Sequence, residues 1–211
     1  MNVHLIFNIP IGLYNSAAGI QLIFPFANCH LMPDKTVFYQ DHSPNVEGQN
    51  ALQKVLQARI NLNLFETGQV KRLIIASGGN IRDLFSLVNY AADMAILEGE
   101  KTIPADHVTV AIGNLRTEYE LRLGDNPFDK DGVTYYEKSQ LLKRIYDEEP
   151  DAQIPNEVLY FLLYNRAIQE LNQGEGTRCF GVHPLVVDIL HGQGIIPFSA
   201  QGGVKGGTSS E

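Results

Sequence analysis

The sequence is poor in cysteine, in charge and in long apolar runs. It has two cysteines in 211 residues, Cys29 and Cys179, which lie far apart and in no metal-ligand spacing. This pattern argues against a disulfide framework, predicts no metal site and favours reduced thiols in a cytoplasmic protein. No stretch approaches the ~18 uninterrupted apolar residues of a membrane-spanning helix, so no membrane partner is expected.

Basic residues are also scarce. Charged residues make up 19% of the chain, and the formal net charge is -8, which argues against a general nucleic-acid coating protein because that role needs a basic surface. The apolar start, Val3–Ile9, has no basic region ahead of it and is followed by several helix breakers, so a secretory signal is not expected.

Apolar residues are abundant near the N-terminus. The run Val3–Pro10 is typical of a buried strand in a parallel sheet covered on both faces. Lys35–Gln40 is a further strand candidate. Because a central-type strand needs more neighbours than these, residues 1–43 are interpreted as the remnant of a larger α/β core and the sequence as a fragment of a longer chain.

Residues 44–124 show helical periodicity throughout. They predict a small antiparallel bundle of four helices: one from Ser43-Pro44 to about Glu66, one through Val70–Ile75 that stops at Gly78-Gly79, one from Asn80 to Gly99, and one opened by Pro104 that carries Tyr119. Asn80, with Asp83 three residues later, is predicted to start the third helix in the manner of a capping box.

The C-terminal part predicts a second, winged-helix-like domain over 134–196 after a linker at 125–133. Its predicted elements are helices over 135–149 and 155–172, a turn at 174–176, a strand over Arg178–Val182 and a helix after Pro184, and 197–211 is expected to be a flexible tail. The fold class expected for the whole chain is therefore mainly α, with residual strands of an α/β core.

Arg82 is the most informative polar residue. It lies in the first turn of the predicted third helix, about 100° around the axis from Ile81 and off the apolar face. An outward arginine at a helix start can bind an anion together with the backbone N–H groups. The alternative is an ordinary surface arginine that pairs with Asp83 or Asp93.

The chain resembles the C-terminal part of AAA+/STAND-type P-loop ATPases over roughly residues 1–195. The matching segments lie in the lid: Leu56-Gln57-Ala58-Arg59, Leu73–Ile75, Gly78–Leu84, Ala91-Ala92 and Val108–Ile112. The resemblance implies a helical lid over 44–124, ATP as the ligand, and Arg82 as the second-sensor arginine that contacts the γ-phosphate.

The same resemblance assigns further nucleotide-contacting positions. It implies that Asn8 is the polar residue of the first-sensor strand and places Asn80 and Arg59 among the contacts. The alternative for Asn8 is an asparagine that satisfies local backbone at a strand end. For Arg59, on the predicted long helix, the alternative is a structural guanidinium between helices.

Two apparent motifs do not carry catalysis. Gly202–Thr208 is similar in composition to a phosphate-binding loop, but the residue directly before Thr208 is glycine rather than lysine. There is also no room for the strand before it and the helix after it that such a loop requires. His183 has no partnered nucleophile, and a histidine that caps the helix starting at Pro184 is the favoured interpretation. Catalytic residues are therefore not predicted, and Mg²⁺ is expected only if an N-terminal segment supplies a phosphate-binding loop.

Two functions remain open. One is an ATP-dependent switch whose lid senses the γ-phosphate and moves a partner-binding domain. The other is a nucleotide-independent adaptor that binds protein or DNA. Residues 133–200 contain nine acidic side chains against five basic ones, which favours a protein partner or self-association over DNA.

Overall fold

The structure, a computed structural model, describes residues 35–126, 133–172 and 178–197. The helices are α1 (Val46–Gln57), α2 (Gln69–Ala76), α3 (Ile81–Leu97), α4 (Ala105–Leu123), α5 (Tyr135–Tyr146), α6 (Glu157–Tyr164) and α7 (Pro184–Gly192). Strands β1 (Ile168–Asn172) and β2 (Arg178–Val182) pair antiparallel, and two 3₁₀ turns cover Leu62–Leu64 and Pro150–Gln153. The expectation of a mainly helical chain is confirmed, with a small two-stranded sheet.

Several predicted features lie outside the described residues. These are the strand at Val3–Pro10, the turn at 174–176, most of the linker at 125–133 and all but the first residue of the tail at 197–211. The predicted strand at Lys35–Gln40 is wrong. Tyr39 N–H bonds to the Ser43 carbonyl and Asn45 N–H to the Val37 carbonyl, so the chain turns back and makes only an isolated bridge between Phe38 and Pro44.

The first predicted helix is too long. α1 begins at Val46 rather than at Ser43-Pro44, because Asn45 is its N-cap and accepts a bond from Gly48 N–H, and it ends at Gln57 rather than near Glu66. Asn61 then caps the short 3₁₀ turn by accepting a bond from Asn63 N–H. An asparagine that bonds its own local backbone competes with helix continuation, which explains the early end.

The predicted helix over 155–172 is also wrong in its second half. α6 ends at Tyr164, because Arg166 adopts a left-handed φ of 60° and the N–H groups of Arg166 and Ala167 bond back to the carbonyls of Leu163 and Leu162. These two bonds form a Schellman motif, which terminates a helix. The chain continues as β1, whose Ile168 pairs with Val182 of β2.

One hydrophobic core includes residues from α1 to α7. Leu84 of α3, Leu115 of α4, Leu162 of α6 and Leu185 of α7 belong to the same cluster. α3 packs along α4, and α7 contacts both α2 and α4. The predicted division at 125–133 stays a prediction, while the described parts on either side of it share this core. None of the described helices has both the length and the apolar character needed to cross a bilayer.

Candidate functional site

Four polar side chains and one backbone carbonyl from different elements meet beside the core, and we call these residues the polar junction: the Ser77 carbonyl and the side chains of Asp83, Tyr119, Arg166 and His183. Ser77 ends α2, Asp83 lies in the first turn of α3, and Tyr119 lies on α4. Arg166 follows α6, and His183 is the N-cap of α7. The junction therefore joins the helices of 44–124 to the C-terminal segment.

Asp83 is the charged centre of the junction. Asp83 is 3% exposed, and its two carboxylate oxygens have different partners. Tyr119 Oη donates to Oδ2 at 2.7 Å, and Arg166 Nη1 donates to Oδ1 at 3.0 Å. A buried carboxylate is stable only when paired and hydrogen-bonded, so both partners are needed. Burial, followed by the nearby Asp83 charge, raises the pKa of Tyr119, which keeps the phenol a donor.

His183 connects the junction to the start of α7. The residue is fully buried, its Nε2 donates to the Ser77 carbonyl at 3.1 Å, and its Nδ1 accepts from Leu185 N–H at 3.3 Å. Its ring stacks on Tyr119 with centroids 4.4 Å apart. These bonds require the neutral Nε2–H tautomer, and burial lowers the pKa of His183 to about 4. The expected helix-capping role of His183 is confirmed.

Arg166 holds an unusual backbone conformation. A left-handed non-glycine residue costs roughly 1–2 kcal/mol. Arg166 adopts this conformation at φ 60°, and its guanidinium reaches back to Asp83 from 83 residues later in the chain. Its side chain is 31% exposed and that of Asp83 is 5% exposed, so one end of the pair meets solvent while the other stays in the core. The ion pair offsets the backbone cost and fixes the turn between α6 and β1.

The structure places the predicted site residues differently. Arg82 is exposed at the start of α3 and its guanidinium makes no ion pair or hydrogen bond with any described residue. The alternative pairing with Asp83 is wrong, because Asp83 is bound to Arg166. Asn80 is the N-cap of α3, and its side chain accepts from Arg82 N–H and Asp83 N–H at 3.0 and 3.2 Å. The N-cap role predicted for Asn80 is confirmed, but the capping box is not, because Asn80 N–H bonds to the Ser77 carbonyl and the Asp83 carboxylate accepts from Tyr119 and Arg166 instead.

The other two predicted site residues are Arg59 and Asn8. Arg59 lies in a turn after α1 and is exposed, so its predicted position on a long helix, with a guanidinium between helices, is wrong. α1 ends two residues before Arg59, because Asn61 caps the following 3₁₀ turn instead of continuing the helix. Asn8 lies outside the described residues.

A small cavity lies near the junction. Its volume is about 50 Å³, and its lining includes Val37, Gly78, Tyr146 and Phe180. Pockets that enclose drug-sized ligands measure about 300–1,000 Å³, so this cavity cannot enclose a nucleotide. Arg82 is not among the residues that line this cavity.

Sequence reasoning missed the pairing of Asp83, Tyr119 and Arg166. Spacing contained part of the signal, because Asp83 lies four and eight residues before Leu87 and Ala91, on the buried face of α3. An acidic residue on a buried helix face needs a cationic or donor partner. Arg166 could not be identified as that partner, since it was assigned to the middle of a helix.

Comparison with known proteins finds no relative. No family model matches the chain, and it matches neither a curated protein nor a solved structure.

Proposed function

We propose that the chain is part of an ATP-dependent switch of the AAA+/STAND type, in which Arg82 contacts the γ-phosphate. The observation that carries the proposal is the position of Arg82 next to Asp83. One turn of α3 presents to solvent a guanidinium with no partner in the part of the chain that the structure describes and, at the next residue, a carboxylate bound to Arg166 of the C-terminal segment. A phosphate that moves Arg82 would therefore also act on this ion pair.

The start of α3 has the chemistry of an anion site. α3 has 17 residues, so its first-turn N–H groups carry the partial positive charge of a helix N-terminus. Asn80 already accepts two of these N–H bonds, which leaves the guanidinium of Arg82 as the principal phosphate ligand. In the proposed switch, Asn8 of the first-sensor strand and Arg59 supply further contacts.

The junction would transmit the change. Asp83 is rigidly held by two hydrogen bonds, and packed, hydrogen-bonded contacts move as discrete units rather than by gradual deformation. A shift of the first turn of α3 would alter the bond from Arg166 to Asp83 and so change the turn that leads into β1. It would also disturb Tyr119, which bonds to Asp83 and stacks on His183. Both consequences reach the segment over 134–196.

That C-terminal segment is proposed to bind a protein partner. Its element order, two helices, an antiparallel pair of strands and a third helix, supports the winged-helix-like assignment. Hydrolysis would need Mg²⁺ and a phosphate-binding loop supplied from outside this sequence. A nucleotide-independent adaptor is the competing function, and nucleotide titration separates the two.

The test compares Mg·ATP and Mg·ADP by isothermal titration calorimetry on the wild-type chain and on Arg82→Ala. Hydrogen bonds to charged groups contribute about 1.5–3 kcal/mol, so we expect Arg82→Ala to weaken ATP binding about tenfold or more. ADP binding should be nearly unchanged, because ADP lacks the γ-phosphate. Amide hydrogen exchange at 166–168 should change with ATP in the wild type and not in the variant.

Lys71→Ala is the matched control, since Lys71 is an exposed cation on the neighbouring helix α2. It should leave the preference for ATP over ADP intact. The free energy of unfolding of both variants should lie within about 0.5 kcal/mol of that of the wild type. Equal affinity of the wild type for ATP and ADP would reject the sensor proposal and favour the adaptor.

A further inference from the structure

The turn between α3 and α4 brings two glutamates and a histidine together. Glu98 is the C-cap of α3, and Gly99 follows in the left-handed conformation at φ 73°. Gly99 N–H bonds to the Ile96 carbonyl and Glu100 N–H to the Ala95 carbonyl. These are the two bonds of a Schellman motif, so the backbone that carries both glutamates has a defined geometry.

His107 approaches this turn from the first turn of α4. Its side chain is only 7% exposed, yet its Nε2 has no hydrogen-bond partner among the described residues. Nε2 lies 3.5 Å from Glu98 Oε2 and 3.4 Å from Glu100 Oε2. Buried polar atoms are nearly always bonded, so a nitrogen facing two carboxylates without a bond to either requires an explanation.

The spacing of the three atoms fits a tetrahedral metal ion. Zn²⁺ binds histidine nitrogen and carboxylate oxygen at about 2.0–2.2 Å, which in a tetrahedron separates neighbouring ligands by about 3.4 Å. The distances from Nε2 to the two carboxylates match this edge, and all three ligand atoms lie within 4.8 Å of one another. Mg²⁺ and Ca²⁺ prefer oxygen ligands, so the histidine favours zinc.

We propose that Glu98, Glu100 and His107 form a zinc-binding site, with a fourth position open to water. Local electrostatics favour a cation there, because the last carbonyls of α3 carry partial negative charge and two carboxylates are added. The histidine is buried and the glutamates are exposed, which gives one fixed ligand and two that can close on the ion. The site links the end of α3 to the start of α4 and does not involve Arg82.

The test is titration of the full chain with ZnCl₂ by isothermal titration calorimetry, after treatment with EDTA and its removal. We expect one zinc per chain and, at a free concentration 100 times the dissociation constant, a rise of about 5–10 °C in Tm. Visible absorption after Co²⁺ substitution should have the intensity of a four-coordinate ion. His107→Leu should abolish the binding, and Glu98→Gln or Glu100→Gln should each weaken it about tenfold or more.

Asp106→Asn is the matched control, because it removes an exposed acidic charge next to His107 without altering the three ligands. It should bind zinc with less than a threefold change in affinity. Circular dichroism and urea unfolding of metal-free His107→Leu establish that this variant is folded. Zinc binding by folded His107→Leu with wild-type affinity, or no saturable binding by the wild type, would overturn the proposal.

Discussion

Helix α3 has a polar cluster at each end, and the two clusters differ in how well their groups are satisfied. At the N-terminal end, both carboxylate oxygens of Asp83 accept a hydrogen bond inside the protein. At the C-terminal end, His107 Nε2 is similarly buried but has no hydrogen bond to any described residue, and the two carboxylates within ion-pair distance of it belong to exposed residues. The Asp83 carboxylate is thus fully bonded within the chain, whereas the histidine nitrogen lacks a hydrogen bond among the described residues.

The difference separates a structural role from a binding role. A fully satisfied buried network holds its elements in one arrangement, and it is weakened whenever one member is removed. An unsatisfied buried nitrogen lowers stability, by about 1–3 kcal/mol, until a partner arrives. Variants of the Asp83 cluster should therefore change the free energy of unfolding of the metal-free chain. Variants of the His107 cluster should chiefly change the increase in that free energy when zinc binds.

Asp83→Asn should have the largest effect. Asparagine has one acceptor oxygen, so either Tyr119 or Arg166 loses its partner, and Arg166 loses its counter-charge. Breaking a buried ion pair from one side costs about 3–5 kcal/mol, and we expect a loss near the lower value because Arg166 is partly exposed. Urea unfolding followed by circular dichroism measures the change.

Asp93→Asn provides the comparison on the same helix, since Asp93 is exposed and in the middle of α3. It should change stability by about 0.5 kcal/mol or less. A similar loss in both variants would mean that the charge of α3, rather than the bonds of Asp83, stabilises the fold.

Local signals in the sequence predicted the helix starts in this region well. Asn80, Pro104 and Pro184 mark the beginnings of α3, α4 and α7, because capping and the fixed φ of proline act within one turn. The burial of Tyr119 also followed from its helical spacing. The start of α3 and the capping role of His183 could thus be predicted without the structure.

The partners of these residues could not be predicted. Asp83 and Arg166 are brought together only by the tertiary fold, and the end of α6 depends on Arg166 adopting a conformation that usually favours glycine. Helical periodicity continues past this point, so the pattern predicted one long helix. Likewise, the sequence gives no sign that Glu98 and Glu100 are more than surface charges. Only the Schellman turn of the folded chain places them opposite His107.

His183 should make stability depend on pH. Its pKa is lowered from 6.5 to about 4 in the folded chain, so between these values the unfolded chain binds a proton that the folded chain does not. The contribution of His183 to stability is therefore fully present above pH 6.5 and is lost as the pH drops towards 4, by on the order of 3 kcal/mol. Urea unfolding at a series of pH values measures this slope.

His183→Asn isolates the contribution, because asparagine can still cap α7 but does not titrate. Its stability should fall less steeply below pH 6.5 than that of the wild type. Asp188 acts in the opposite direction: burial raises its pKa to about 6, so its protonation stabilises the folded chain as the pH falls. Asp188→Asn should therefore steepen the loss, and an unchanged slope in His183→Asn would contradict the assignment.

The glycines that flank α3 offer the smallest and most direct comparison of its two ends. Both have positive φ, 61° for Gly78 and 73° for Gly99, so alanine costs roughly 1–2 kcal/mol of backbone strain at either position. At Gly78 the new Cβ would lie 2.5 Å from Cδ2 of His183, whose ring is held by two hydrogen bonds and a stack, whereas at Gly99 nothing lies within 4 Å. Overpacking adds about 1–3 kcal/mol, so Gly78→Ala should lose about 2 kcal/mol more than Gly99→Ala in metal-free urea unfolding. Equal losses of unfolding free energy would show that the His183 ring can move away from the new Cβ at little cost.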